Sequence, residues 1–84
     1  MNIYAVIAQD APLDDLVESN FDESDRCKLR EGVWMVRSSR LTSSEVVGDL
    51  GIKPDLVGIV VKAANYDGRA HREIVQKLSA WDSE

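Results

Sequence analysis

The sequence has little that could build a covalent or metal-bound framework. It has one cysteine, Cys27, and one histidine, His71, among 84 residues. A single cysteine excludes a disulfide within the chain, and this pair of counts excludes multi-cysteine and histidine-rich metal sites in a monomer. No apolar run approaches the ~20 residues that cross a bilayer. No basic start leads into an apolar stretch with a cleavage site, so we expect a cytoplasmic protein without membrane contact.

The composition that remains is typical of a folded domain. Hydrophobic residues make up 44% and charged residues 30% of the chain, which is the balance of a soluble globular protein rather than of a disordered one. The length suits a single domain over residues 1–84.

The formal net charge of −5 is distributed unevenly. Residues 10–25, here called the acidic segment, hold seven acidic and no basic residues, whereas residues 26–40 hold five basic residues and one acidic residue. Such a balance does not favour unaided nucleic-acid binding, because phosphate would be repelled. The separation predicts either solvated faces that pair with each other, or a dipolar surface that orients a protein partner at the acidic segment.

The hydrophobic periodicity predicts four strands and three helices. The strands are expected at Asn2–Ala8, Arg26–Arg30, Val33–Ser38 and Leu56–Ala64. The helices are expected from Pro12 to near Asn20, from a Thr42 cap to Gly51, and over 69–81. The first six elements follow the order β-α-β-β-α-β, which predicts an α+β, ferredoxin-like sandwich with a four-stranded antiparallel sheet and helices on one face, plus a C-terminal helix. The other sheet face would need a cover, either the C-terminal helix or a second subunit, and we expect a homodimer.

An anion site is predicted where the basic residues meet a helix start. Arg37, Ser38, Ser39 and Arg40 precede the Thr42 cap, and a helix N-terminus offers free N–H groups and partial positive charge to phosphate or nucleic acid. In the alternative interpretation the arginines pair with the acidic residues of 22–25.

A metal site is the second candidate. Asp10 follows the first predicted strand, and two such carboxylates across a dimer axis could share Mg²⁺ or Mn²⁺. The alternative is a helix cap or a solvated loop residue, with no catalytic residue, no metal and no cofactor.

Several stretches also resemble a known family. They are residues 31–38 with Trp34 in a strand, the polar helix start at 41–47, the apolar strand Leu56–Ala64 and the turn at 65–68. This pattern resembles small proteins of the SinR-like family and, more distantly, the CRISPR-associated spacer-acquisition endoribonuclease subunit and a ribonuclease antitoxin. The resemblance implies a ferredoxin-like dimer, and it places Asp10 at the position of the metal ligand proposed in the CRISPR-associated relatives.

Three functions are therefore open. The first is a non-catalytic dimeric interaction or regulatory module, in a defence or toxin–antitoxin system. The second is a metal-dependent nuclease dimer that uses paired Asp10. The third is a nucleic-acid-binding protein without cleavage. The residues favour the first, because one acidic candidate with no neighbouring base is a poor catalytic set and the chain is net acidic.

Overall fold

The sheet is built from four antiparallel strands. The computed structural model describes residues 1–8, 12–52, 58–64, 66, 68 and 71–82. The strands are β1 (Asn2–Ala8), β2 (Arg26–Arg30), β3 (Val33–Ser38) and β4 (Gly58–Ala63), and they lie side by side in the order β2-β3-β1-β4. β1 pairs with both β3 and β4, so the strand that is apolar on both faces is central, while the charged strand β2 lies at an edge.

Two helices and one 3₁₀ turn lie between these strands along the chain, and a third helix follows β4. The helices are α1 (Pro12–Asn20), α2 (Ser43–Leu50) and α3 (Arg72–Asp82), and the turn is Glu23–Asp25. Thr42 is the N-cap of α2, because its hydroxyl accepts a hydrogen bond from the backbone N–H of Glu45 at 3.3 Å. Gly51 ends α2 with a left-handed φ of 72°, a conformation that glycine adopts without steric cost.

The α+β class and the four-stranded antiparallel sheet are confirmed, and the architecture is compatible with a ferredoxin-like fold. The bounds predicted for β1, β2 and β3 match the structure. β4 begins at Gly58, since residues 56 and 57 of the predicted strand lie outside the described residues, as do residues 69 and 70 of the predicted last helix. The 3₁₀ turn was not predicted.

One face of the sheet packs against α1 and α2. Successive side chains of a strand point to opposite faces, and Tyr4, Val6, Trp34 and Val36 share the face that these helices cover. Their cluster is completed by Leu13 and Val17 of α1 and by Val46 and Leu50 of α2. Seven of these eight residues are fully buried and Trp34 is 3% exposed, so this cluster is the main core.

The opposite face is covered at one end by α3. Trp81 packs with Cys27 and Met35, and Ile74 and Leu78 lie against the same cluster together with Ile3, Ala5 and Ala63. The sequence left open whether α3 or a second subunit covers this face, and the structure shows that α3 covers part of it. No described helix has the length and apolar character of a membrane span.

Candidate interaction surfaces

The end of the sheet face that α3 does not reach is apolar and open. Ile7 is 45%, Ile59 62% and Val61 47% exposed. Ile7 lies opposite Ile59 in the β1–β4 pairing, and Val61 lies opposite Ala5. We call these three residues the uncovered sheet face. Exposed apolar residues are common singly, but a contiguous group on one face is typical of an interaction site.

The predicted anion site has its two guanidinium groups bound to carboxylates. Arg37 Nε lies 2.7 Å from Asp25 Oδ1, and the guanidinium stands 5.6 Å from the centre of the Trp81 ring. Arg40 binds Asp49 through two nitrogens at 3.0 Å each, and Glu45 lies 3.4 Å from a third. The hydrogen bond and charge of Asp49 raise the pKa of Arg40 above its ordinary value.

The carboxylates around these two arginines disfavour the binding of an added anion such as phosphate. An open depression of about 420 Å³ is lined by Arg37, Ser38 and Ser39, and also by Asp22, Asp25 and Asp49. Ser38 Oγ accepts a bond from Arg40 N at 3.1 Å, so it serves the local turn. A phosphate would have to compete with the carboxylates that already bind both arginines. The pairing of Arg37 with Asp25 is the alternative that the sequence offered, whereas the partner of Arg40 lies on α2. Anion binding here stays a prediction.

The start of α2 is also occupied by its own side chains. Besides accepting from Glu45 N, the Thr42 hydroxyl donates to Glu45 Oε1 at 3.0 Å. The bond from Glu45 N is the predicted Thr42 cap, and it satisfies one of the N–H groups that an anion would use.

The acidic segment divides into structural and solvent-facing carboxylates. Asp14 accepts from Trp34 Nε1 at 2.6 Å and from the backbone N–H of Gly32 at 3.1 Å, which ties α1 to the β2–β3 turn. Asp25 binds Arg37. The side chains of four others are exposed: Asp15, Glu18, Asp22 and Glu23. A basic protein partner at these four residues stays a prediction.

A groove of about 390 Å³ runs along the edge strand β2. Its floor includes Trp34, over whose ring Lys28 Nζ stands at 5.6 Å, and Cys27. Arg26, also on its wall, donates to the carbonyls of Phe21 at 2.6 Å and Glu18 at 3.1 Å. Cys27 is only 5% exposed, and burial raises the pKa of its thiol while Lys77 acts in the opposite direction. A buried thiol with a raised pKa is a weak nucleophile, so Cys27 is not poised to react with a molecule in this groove.

The candidate metal ligand, Asp10, lies outside the described residues. Within the described part of the chain, no three histidine, cysteine, aspartate or glutamate side chains are grouped as metal ligands would be. The structure therefore leaves the Mg²⁺ or Mn²⁺ alternative as a prediction that rests on the sequence.

Two long-range contacts that shape these surfaces were not predicted from the sequence. One is the Asp14–Trp34 hydrogen bond. The other is the attachment of α3 to the 3₁₀ turn, where Trp81 Nε1 donates to Ser24 O at 3.1 Å and Lys77 Nζ donates to Glu23 O. A buried indole N–H needs a hydrogen-bond acceptor. The two tryptophans therefore indicate that acceptors exist, but not which residues supply them.

Comparisons with known proteins do not add a family. The chain matches no protein-family model, no curated protein and no solved structure. The surfaces described above are therefore the basis for assigning a function.

Proposed function

We propose that this chain is a small, non-catalytic interaction module that functions as a homodimer. The observation that supports the proposal is the uncovered sheet face, where Ile7, Ile59 and Val61 are each 45% exposed or more. An apolar surface of this kind is stabilised when a partner removes it from water. We favour a second copy of the chain as the partner, because most soluble oligomers are built from identical chains.

The proposal includes a ferredoxin-like assignment of the fold. The element order β1-α1-β2-β3-α2-β4 and the strand order β2-β3-β1-β4 support it. The SinR-like relationship stays a prediction from the sequence. In this proposal α3 is an addition that covers one end of the sheet and leaves the other end for association.

The contacts of the polar residues also fit a module that binds rather than reacts. Arg37 and Arg40 are held by carboxylates, and the Cys27 thiol is enclosed by Met35 and Trp81. Groups held in this way stabilise the domain, and they are poorly placed to take up a substrate.

Sedimentation equilibrium tests the proposal directly. The chain mass is 9.3 kDa, so the dimer should have twice that mass. Because three residues form a smaller surface than the ~800 Å² per partner of a standard interface, the measurement should extend to about 100 μM. A monomer throughout this range would refute the proposal.

A matched pair of variants assigns the association to this face. Ile59→Lys places a charge on the uncovered sheet face and should yield a monomer. Leu29→Lys replaces a residue that is 38% exposed on β2, at the opposite edge of the sheet, and it should remain a dimer. Equal effects of both substitutions would contradict the assignment.

A further inference from the structure

The outer edge of β4 has a defined set of outward-facing backbone groups. The β1–β3 pairing continues beyond the first residue of β3, where Ala8 N donates to Gly32 O at 2.6 Å. Backbone groups alternate in direction along a strand. Ala8 and the other even-numbered residues of β1 therefore turn their N–H and C=O groups towards β3, and the odd-numbered residues turn theirs towards β4.

This alternation fixes which groups of β4 are turned outward. The odd-numbered residues of β1 pair with Ile59, Val61 and Ala63, whose backbone groups point inward to β1. Gly58, Val60 and Lys62 consequently direct their N–H and C=O groups away from the sheet. β4 is the last strand in the order β2-β3-β1-β4, and such an edge is a template for another strand.

We propose that two copies of the chain pair β4 against β4 in antiparallel orientation, across a two-fold axis that passes through Val60. This inference rests on the proposed homodimer and specifies its interface. The result is a continuous eight-stranded sheet, in which Val60 lies opposite Val60 of the second copy and Gly58 lies opposite Lys62.

The register follows from the outward-facing groups. Centred on Val60, the pairing joins all three outward-facing residues of each copy. Centred on Ile59 or Val61, it joins only two of them within the strand. Centred on Lys62, it places two ammonium-bearing side chains directly opposite each other, which is destabilising. In the proposed register Lys62 faces Gly58, which has no side chain to obstruct it.

The same register brings the apolar side chains together. Ile59 of one copy lies opposite Val61 of the other, and both are on the face that α3 leaves open. Cross-strand pairs of β-branched residues stabilise antiparallel sheets. The side-by-side contact of Ile59 and Val61 removes part of their surface from water, and Ile7, next to Ile59 in the sheet, continues the apolar row on each copy. A second copy fits because antiparallel pairing of identical strands makes every contact twice.

Disulfide trapping tests the register. In a Cys27→Ala background, Ile59→Cys and Val61→Cys chains are mixed and mildly oxidised. The 59–61 pair would be a non-hydrogen-bonded pair with Cα atoms about 4.5 Å apart, within the range a disulfide spans. Equivalent residues, 59 with 59 or 61 with 61, would be offset along the strands by two positions and too far apart to bridge.

We expect the mixture to form covalent dimer, whereas either variant alone should form no more than the collision control. Leu29→Cys is the control for random collision, because Leu29 is exposed and lies on β2, at the opposite edge of the sheet. Sedimentation of the same reduced samples is measured in parallel. A dimer without preferential 59–61 trapping would overturn the β4 interface and leave the proposed function intact. A monomer would overturn both.

Discussion

The hydrogen bond between Asp14 and Trp34 should make a large contribution to the stability of the domain. Asp14 Oδ1 accepts from Trp34 Nε1 at 2.6 Å, and Trp34 is 3% exposed. Asp14→Ala would leave the buried indole N–H without its acceptor, which costs about 1–3 kcal/mol. It would also remove an acidic residue from the first turn of α1, which contributes a further ~0.3–1 kcal/mol.

Together these effects predict that Asp14→Ala lowers the free energy of unfolding by about 2–3 kcal/mol. At roughly 4–8 °C per kcal/mol for a domain of this size, the Tm should fall by about 8–24 °C. Asp15→Ala is the matched control, because Asp15 lies in the same helical turn and is exposed. It should cost only the ~0.3–1 kcal/mol of the helix-end interaction.

Urea denaturation of a double-mutant cycle measures the hydrogen bond itself. In a Trp34→Phe background there is no indole N–H to satisfy, so Asp14→Ala should cost about 1–2 kcal/mol less than in the natural chain. Equal losses for Asp14→Ala and Asp15→Ala, or a coupling energy near zero, would refute this reasoning.

Three further predictions follow from single residues. Gly51→Ala should destabilise by about 1 kcal/mol because φ is 72°, whereas Gly48→Ala, in the interior of α2 and equally free of steric contact, should stabilise by about 0.5–1 kcal/mol; equal signs in thermal unfolding would contradict the cap geometry. Because burial raises the pKa of the Cys27 thiol, the folded state keeps its proton while the unfolded chain loses it, so stability should decline as pH rises above the ordinary thiol pKa of about 8.5. Cys27→Ala should remove the part of this decline that the thiol causes. An unchanged pH profile of stability would show that the thiol does not contribute. The proposed module should leave RNA and DNA intact with Mg²⁺ or Mn²⁺, and cleavage that Asp10→Asn abolishes would support the nuclease alternative instead.

The local parts of this fold were predictable from the sequence, and the reasons are local. Alternation and apolar runs located β1, β2 and β3, and the Thr42 cap and Gly51 located α2, because these signals act over a few residues. The apolar side chains on both faces of β1 suit the central position that it has between β3 and β4.

The contacts that shape the surfaces were less predictable, because they join distant parts of the chain. Arg40 binds Asp49 rather than the acidic segment, and Trp34 binds Asp14. The sequence shows which groups need partners, but several carboxylates compete for each arginine, and only the packing of α1 and α2 on the sheet decides between them. The extent of the face that α3 covers likewise depends on its docking and not on its periodicity.

The attachment of α3 has a consequence for how the chain is made. Trp81 and its acceptor Ser24 are 57 positions apart, and Lys77 and its acceptor Glu23 are 54 apart. During synthesis the hydrophobic cluster at Cys27 and Met35 therefore stays exposed to water until α3 has left the ribosome. Closing such a long loop is slower than forming a local helix or hairpin. During this interval the chain is most prone to aggregate, because the apolar side chains of this smaller cluster are not yet covered.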